Sequence, residues 1–265
     1  MANWLSRLVV GAALLPATLG LVWLGGWWLF AFAALMAAVG VHELCGVTRT
    51  LRPMPLAAYG GVALTVVGAQ LGGPQWALAG VAATILLGFV LKGISDTRGS
   101  VTVSVGTTVL GVTWVGLGAA FLILLRDIPV HGRLACFAVL LAIFASDTFA
   151  YFGGRLLGRH KLAPMLSPGK TWEGLAFGIA AAVFVTWVSV YDRHFLTQAD
   201  ALLLGLAVAV AAPLGDLFES GLKRDMNVKD TGKILGGHGG VLDRVDSILF
   251  AIPVAYYMVA AFGKA

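Results

Sequence analysis

The sequence predicts an all-α fold, a polytopic transmembrane helical bundle of about nine spans. Three observations lead there. Hydrophobic residues make up 59% of the 265 and charged residues only 12%, whereas a soluble domain carries about a quarter charged. The mean hydropathy is +0.90, so a water-soluble fold would lack the polar groups to cover its own surface. The apolar residues also fall in runs of about 20, the length that crosses a bilayer core.

In chain order the predicted spans are 8–25, 27–44, 55–72, 75–93, 104–125, 134–153, 172–191, 201–219 and 246–262. The first follows a single basic residue, Arg7, as a secretory signal would. Its apolar run is long and lacks a small-residue cleavage pattern, which predicts a retained helix. Gly25-Gly26 and Gly72-Gly73 precede Trp27, Trp28 and Trp76, the composition of tight turns at a membrane interface. The fifth span mixes glycine with β-branched residues from Val105 to Val112, which suits close helix contact better than a channel lining. Cys45 and Cys136 are far apart and form no CxxC pair, so neither a disulfide nor a thiolate metal site is expected. No polar stretch is long enough to fold outside the membrane. The chain therefore reads as one integral domain, 1–265, with N-terminal spans over 1–133 and the spans and loops that hold the long polar segments over 134–265.

Charge sets the expected orientation. The formal net charge is +5, but the basic residues lie between apolar spans, so membrane topology and anionic head groups explain them without nucleic acid. Of the 18 Lys and Arg residues, Arg126, Arg133, Arg193 and Lys264 fall on one face and the other 14 on the opposite face. The positive-inside rule makes the richer face cytoplasmic. It carries both long polar segments, 154–171 and 220–245, where a water-soluble ligand would be met.

The acidic residues carry the chemistry. Asp216 and Glu219 stand three apart at the end of an apolar helix and share a face. At membrane depth they must meet a cation, and with Lys223 they could form an ion cluster of purely structural use. Beyond them Lys223, Arg224, Lys229 and Lys233 alternate with Asp225 and Asp230, a mixed-sign pattern suited to polyphosphate with a divalent metal. Gly236, Gly237, Gly239 and Gly240 surround His238 and allow close backbone approach to a ligand. Asp243, Arg244 and Asp246 follow as the last helix begins. Capping of that helix is the ordinary use for such acids, more so for Asp246 than for Asp243.

A second polar segment runs from Ser146 to Gly174. Asp147 stands near an apolar helix end, followed by Tyr151, Gly153 and Gly154. Gly169-Lys170-Thr171 invites comparison with a P-loop, yet Pro164 occupies the required glycine position and no strand is expected before it. Lys170 and Thr171 instead begin a helix, whose free N–H groups attract phosphate; an ordinary capped helix start explains much of the same pattern.

Together these segments resemble the phosphatidate cytidylyltransferase family, the CDP-diacylglycerol synthases. The pattern S-x-x-K-R-x4-K-D-x-x-x-x-[LIF]-[PG]-x-H-G-G-x-x-D-R-x-D is matched by Ser220, Lys223, Arg224, Lys229, Asp230, Leu235, Gly236, His238, Gly239, Gly240, Asp243, Arg244 and Asp246. The elements GD-x-x-ES at 215–220, SD-x-x-AY-x-x-GR at 146–155 and SP-x-KT-x-EG at 167–174 are also similar to that family. The likeness is close over 146–247, while the first five spans match only in length and apolarity. It implies a membrane nucleotidyltransferase of phospholipid biosynthesis that joins CTP and phosphatidic acid into CDP-diacylglycerol and pyrophosphate. It also implies Mg²⁺, with two metal ions able to clamp attacking and leaving oxygens. On this basis Asp216 and Asp243 are expected metal ligands, with Asp147 a further one. Lys223, Arg224, His238 and Asp246 are expected in catalysis, Asp246 also as a possible ligand. Lys170, Ser220, Lys229 and Arg244 are expected on substrate. A multi-pass protein of the inner (plasma) membrane follows, its active site facing the cytoplasm and its partners CTP, phosphatidic acid and the bilayer. The sequence permits a homodimer without requiring one.

Other functions fit less well. A transporter commonly shows inverted repeats and paired broken helices, and a CDP-alcohol phosphotransferase needs a DG-x-x-AR motif that is absent here. A purely structural scaffold leaves the loop charges without a use. The topology is testable apart from any family. A cysteine replacing Asn227, in a chain lacking Cys45 and Cys136, should react only with a membrane-permeant thiol reagent; labelling of intact cells by an impermeant one refutes the orientation.

Overall fold

The computed structural model describes residues 16–95, 99–191, 195–234 and 239–262. Helices dominate, as expected. Residues 16–24 are helical. They are followed by α1 (Gly26–Val47), α2 (Pro55–Ile94) and α3 (Val101–Arg126), then by α4 (Gly132–Leu157), α5 (Trp172–Val190), α6 (Gln198–Asp225) and α7 (Leu242–Phe262). Among the described residues these seven are long and apolar enough to cross a membrane. The chain divides into two compact units, 1–124 with 225–245, and 125–224 with 246–265.

In the first unit, α2 has 40 residues, about 60 Å if straight and about twice a bilayer core. It does not run straight. Gly73 adopts φ 75 and ψ −163 just before Pro74, a conformation that glycine alone takes without strain, while proline lacks the N–H that a continuous helix would need. Two legs result, close to the expected 55–72 and 75–93. They fold back on each other through small residues. A Cβ at Gly80 would stand 2.5 Å from the Thr65 nitrogen, one at Gly68 would stand 2.5 Å from the Trp76 carbonyl, and Gly61 meets Thr84. Small residues at these positions let two backbones approach, which is how helices associate where lipid is the solvent.

The β-branched run of the fifth span forms α3, and a single π turn over Val112–Gly116 interrupts it. Two of its glycines make helix contacts, Gly111 against Leu44 of α1 and Gly116 near Val62 and Thr65 of α2, whereas Gly106 has nothing within 4 Å of a Cβ.

In the second unit, α4 and α5 pack through Gly153, Gly154, Gly174 and Gly178. A Cβ at Gly174 would meet the Ala150 carbonyl, and one at Gly178 the Ser146 carbonyl. The polar segment between them forms a small antiparallel hairpin, β1 (Lys161–Ala163) and β2 (Ser167–Thr171), a strand pair that the sequence reading did not anticipate. Glu173, in the first turn of α5, holds the hairpin's entry. It accepts the Arg159 N–H at 3.1 Å and the His160 N–H at 3.2 Å, and meets the His160 ring nitrogen Nδ1 at 2.6 Å. Gly205 lets α6 approach Val183 of α5, and Gly215 lets it approach Asp246 and Phe250 of α7.

The α2 hairpin yields a direct test. Gly80→Ala should lower stability by about 1–3 kcal/mol through overpacking. Gly93→Ala should be neutral or mildly stabilising, because nothing lies within 4 Å of a Cβ there and alanine favours helix. Thermal unfolding in detergent micelles compares them; equal midpoints contradict the packing described.

Candidate active site

The second unit gathers acids from three helices and cations from two elements. Asp147 comes from α4, Asp216 and Glu219 from α6, and Asp246 from the first turns of α7. Lys170 comes from β2 and Lys223 from the last turn of α6. Lys170 Nζ lies 2.9 Å from Asp216 Oδ2 and donates to the Pro213 carbonyl at 3.2 Å. That carbonyl stands on the turn around Pro213 inside α6. Lys223 Nζ lies 2.8 Å from Glu219 Oε2, and Glu219 is 1% exposed. Ser220 Oγ donates to Asp216 Oδ1 at 3.3 Å.

Two more acids complete this set. Asp147 is in electrostatic reach of Asp246, Asp216 and Lys170. Asp246 is buried, in hydrogen-bonding reach of Glu219, and feels Asp216 and Lys223. Two carboxyl groups in contact repel unless a proton or a cation lies between them. Along the cluster, exposure falls from Asp147 through half-buried Asp216 to buried Asp246 and Glu219. Four acids thus face two lysines, and the set opens to the surface at Asp147 and Asp216.

Among the described residues, no three His, Cys, Asp or Glu side chains gather tightly enough to enclose a metal ion. Mg²⁺ at nucleotide sites asks for less, one or two carboxylates with the remaining positions filled by water and phosphate. Asp147 and Asp216 meet that demand in donor type and charge.

Lys170 was expected on phosphate, and in this structure its ammonium is held by Asp216. Thr171 caps α5, its hydroxyl accepting the Gly174 N–H at 3.1 Å. Arg224 is exposed and donates from Nε to the Leu166 carbonyl at 3.3 Å. The ion pair of Glu219 with Lys223 has the form expected of a structural cluster. Lys170, which the sequence reading did not place in that cluster, joins it through Asp216.

The remaining expected residues belong to the first unit. Lys229 and Arg244 are exposed. Asp243 Oδ2 accepts two backbone N–H groups, from Gly240 at 2.7 Å and Thr231 at 2.9 Å. Asp243 thus holds the loop before α7, while Asp246 Oδ1 accepts the Ser247 N–H at 2.8 Å within the helix. His238 lies outside the described residues.

One residue of this unit escaped the sequence reading. Glu43, 4% exposed on α1, accepts the Val241 N–H at 3.0 Å and the Leu242 N–H at 2.9 Å. The signal was present, since it is an acid near the end of an apolar span and such residues are functional by default. It was missed because its partners lie 198 and 199 positions away.

Comparison with known proteins follows the same lines. A family model described as the cytidylyltransferase family matches residues 5–262. The chain's relatives include bacterial proteins named phosphatidate cytidylyltransferase, two of which illustrate the likeness. One, from Bacillus subtilis, is 41% identical over 60% of this chain and 59% of its own length. The other, from Staphylococcus haemolyticus, is 33% identical over 87% of this chain and 89% of its own.

The Glu219–Lys223 pair generates a stability test. Lys223→Met leaves a buried carboxylate without its cation and should cost about 3–5 kcal/mol, whereas Glu219→Gln with Lys223→Met should recover most of it. Unfolding midpoints in detergent check this, and an equal loss in both variants contradicts the pairing.

Proposed function

The chain belongs to the cytidylyltransferase family, and on that premise we propose that it transfers CMP from CTP to phosphatidic acid, yielding CDP-diacylglycerol and pyrophosphate. The observation that carries this reading is the set of Asp147, Lys170, Asp216, Glu219, Lys223 and Asp246, drawn from separate elements of an apolar unit. In the transfer, an oxygen of the lipid phosphate attacks the α-phosphorus of CTP. The bond from that phosphorus to the bridging oxygen breaks, and pyrophosphate leaves with the electron pair. Such a step needs in-line placement and neutralised charge more than a protein nucleophile.

Asp147 and Asp216, with Asp246 as a further candidate, would hold Mg²⁺, which would supply that neutralisation at the phosphates. Asp243 is a further candidate ligand on the strength of the sequence motif. Lys223, Arg224, Lys229, Arg244 and Ser220 bind phosphate oxygens, with His238 positioning or protonating one. Lys170 exchanges its contact with Asp216 for phosphate as substrate arrives. The transfer takes place at the cytoplasmic face of the inner membrane, in a bundle of about nine spans. A diacyl lipid cannot cheaply leave the bilayer, since each exposed CH₂ costs about 0.8 kcal/mol. Its phosphate therefore enters sideways at head-group depth, while CTP enters from water.

Purified protein given radiolabelled CTP, phosphatidic acid and Mg²⁺ should form a lipid-soluble labelled product. Asp216→Asn and Asp243→Asn should each lose about 100-fold or more in turnover while remaining folded and extractable. Near-normal turnover in both variants refutes the ligand assignment, and no lipid product from the parent protein refutes the reaction.

A further inference from the structure

We propose that Glu43 is a positioning residue for this reaction, clasping the start of α7 and the loop before it through a carboxylate on α1. The proposal rests on the transferase reading above and adds a residue outside its motifs. A helix begins with N–H groups that have no partner within the helix and carry partial positive charge. Here Glu43 supplies one oxygen to Val241 at 3.0 Å and the other to Leu242 at 2.9 Å, with the Thr231 hydroxyl at 3.5 Å from the second. Charge-assisted bonds of this kind are about twice as strong as neutral ones. Burial raises the stakes further, because an acid this enclosed is tolerated only when its lone pairs are taken.

The surrounding glycines are fitted to this side chain. A Cβ at Gly232 would collide with Glu43 Oε1, and one at Gly240 with Glu43 Oε2 and the Thr231 hydroxyl. Neither glycine has a positive φ, so the backbone does not demand glycine at either place. What it lacks is room. Gly240, one of the paired glycines after His238, thus serves Glu43 as well as any ligand. Gly40, one turn earlier on α1, brings Leu242 and Val115 close in the same way.

Thr231 links two braces. Its N–H goes to Asp243 and its hydroxyl to Glu43. The loop bearing Lys229 and Asp230 is thereby tied to α1 at one point and to α7 at another. Phosphoryl transfer is sensitive to misplacement, and a shift of about 1 Å can cost about 100-fold. Glu43 touches no reacting atom in this proposal and acts through the loop it holds.

The test is a mutant cycle in the full chain, scored as kcat per folded protein, with hydrogen exchange across 231–242 as a second readout. Glu43→Ala and Gly240→Ala should each lower kcat by about 100-fold and speed exchange in that segment. The double variant should be no worse than either, because the alanine methyl then meets no carboxylate. Losses that multiply to about 10⁴-fold show Gly240 acting independently and overturn the proposal. So does normal kcat in the folded fraction of both single variants, which reduces Glu43 to a structural role. If Glu43→Ala does not fold, Gly240→Ala decides alone. Loss of kcat with faster exchange supports the clasp, and normal values of both refute it. A parent protein without product overturns the transferase reading, whereas an active parent with normal variants overturns this proposal only.

Discussion

A carboxylate carried on an apolar helix has to be met by a cation or by N–H donors, and this constraint organises both units of the protein. Glu219 is met by Lys223 and Asp216 by Lys170. Glu43 is met by the opening N–H groups of α7. An unmet buried charge costs several kcal/mol, a large part of the 5–15 kcal/mol that holds a typical fold. The acids therefore decide which elements must be neighbours. Lys170 ties the β1–β2 hairpin to α6, and Glu43 ties the long loop before α7 to α1.

Glycine is the other half of that arrangement. Helix approach through Gly174 and Gly178 brings α4, the carrier of Asp147, against α5, and Gly215 brings α6 against α7 at Asp246. Close backbones place short aspartate side chains within reach of one another, which bulkier interfaces would prevent. The outcome is a graded set of acids, exposed at Asp147 and buried at Glu219. In the proposed reaction these acids would hold a divalent cation and the lysines would meet phosphate, so that no serine or cysteine nucleophile is required.

Much of this was legible in the sequence. The spans follow from apolar runs, and even the break in α2 is written as Gly72-Gly73-Pro74. The grouping of Asp216, Glu219 and Lys223 is legible from helical spacing alone. Three features were not. The β1–β2 hairpin has strands of three and five residues, too short for a period to register. The reach of Lys170 to Asp216 joins positions far apart in sequence, so local pattern pointed to the helix start beside it. The roles of Asp243 and Asp246 depend on which way each side chain turns in the first turns of α7, which spacing alone leaves open. Glu43 is the sharpest case: its residue type announced importance, but only the folded chain names its partners.

The central claim is that charge neutralisation and placement perform the transfer directly, without a covalent enzyme intermediate. The most direct measurement is the stereochemical course at the α-phosphorus, using CTP made chiral there with one sulfur in place of oxygen. A single in-line displacement by the lipid phosphate predicts inversion in the nucleotidyl lipid. Retention would show two successive displacements, hence a nucleotidyl-protein intermediate, and would contradict the account.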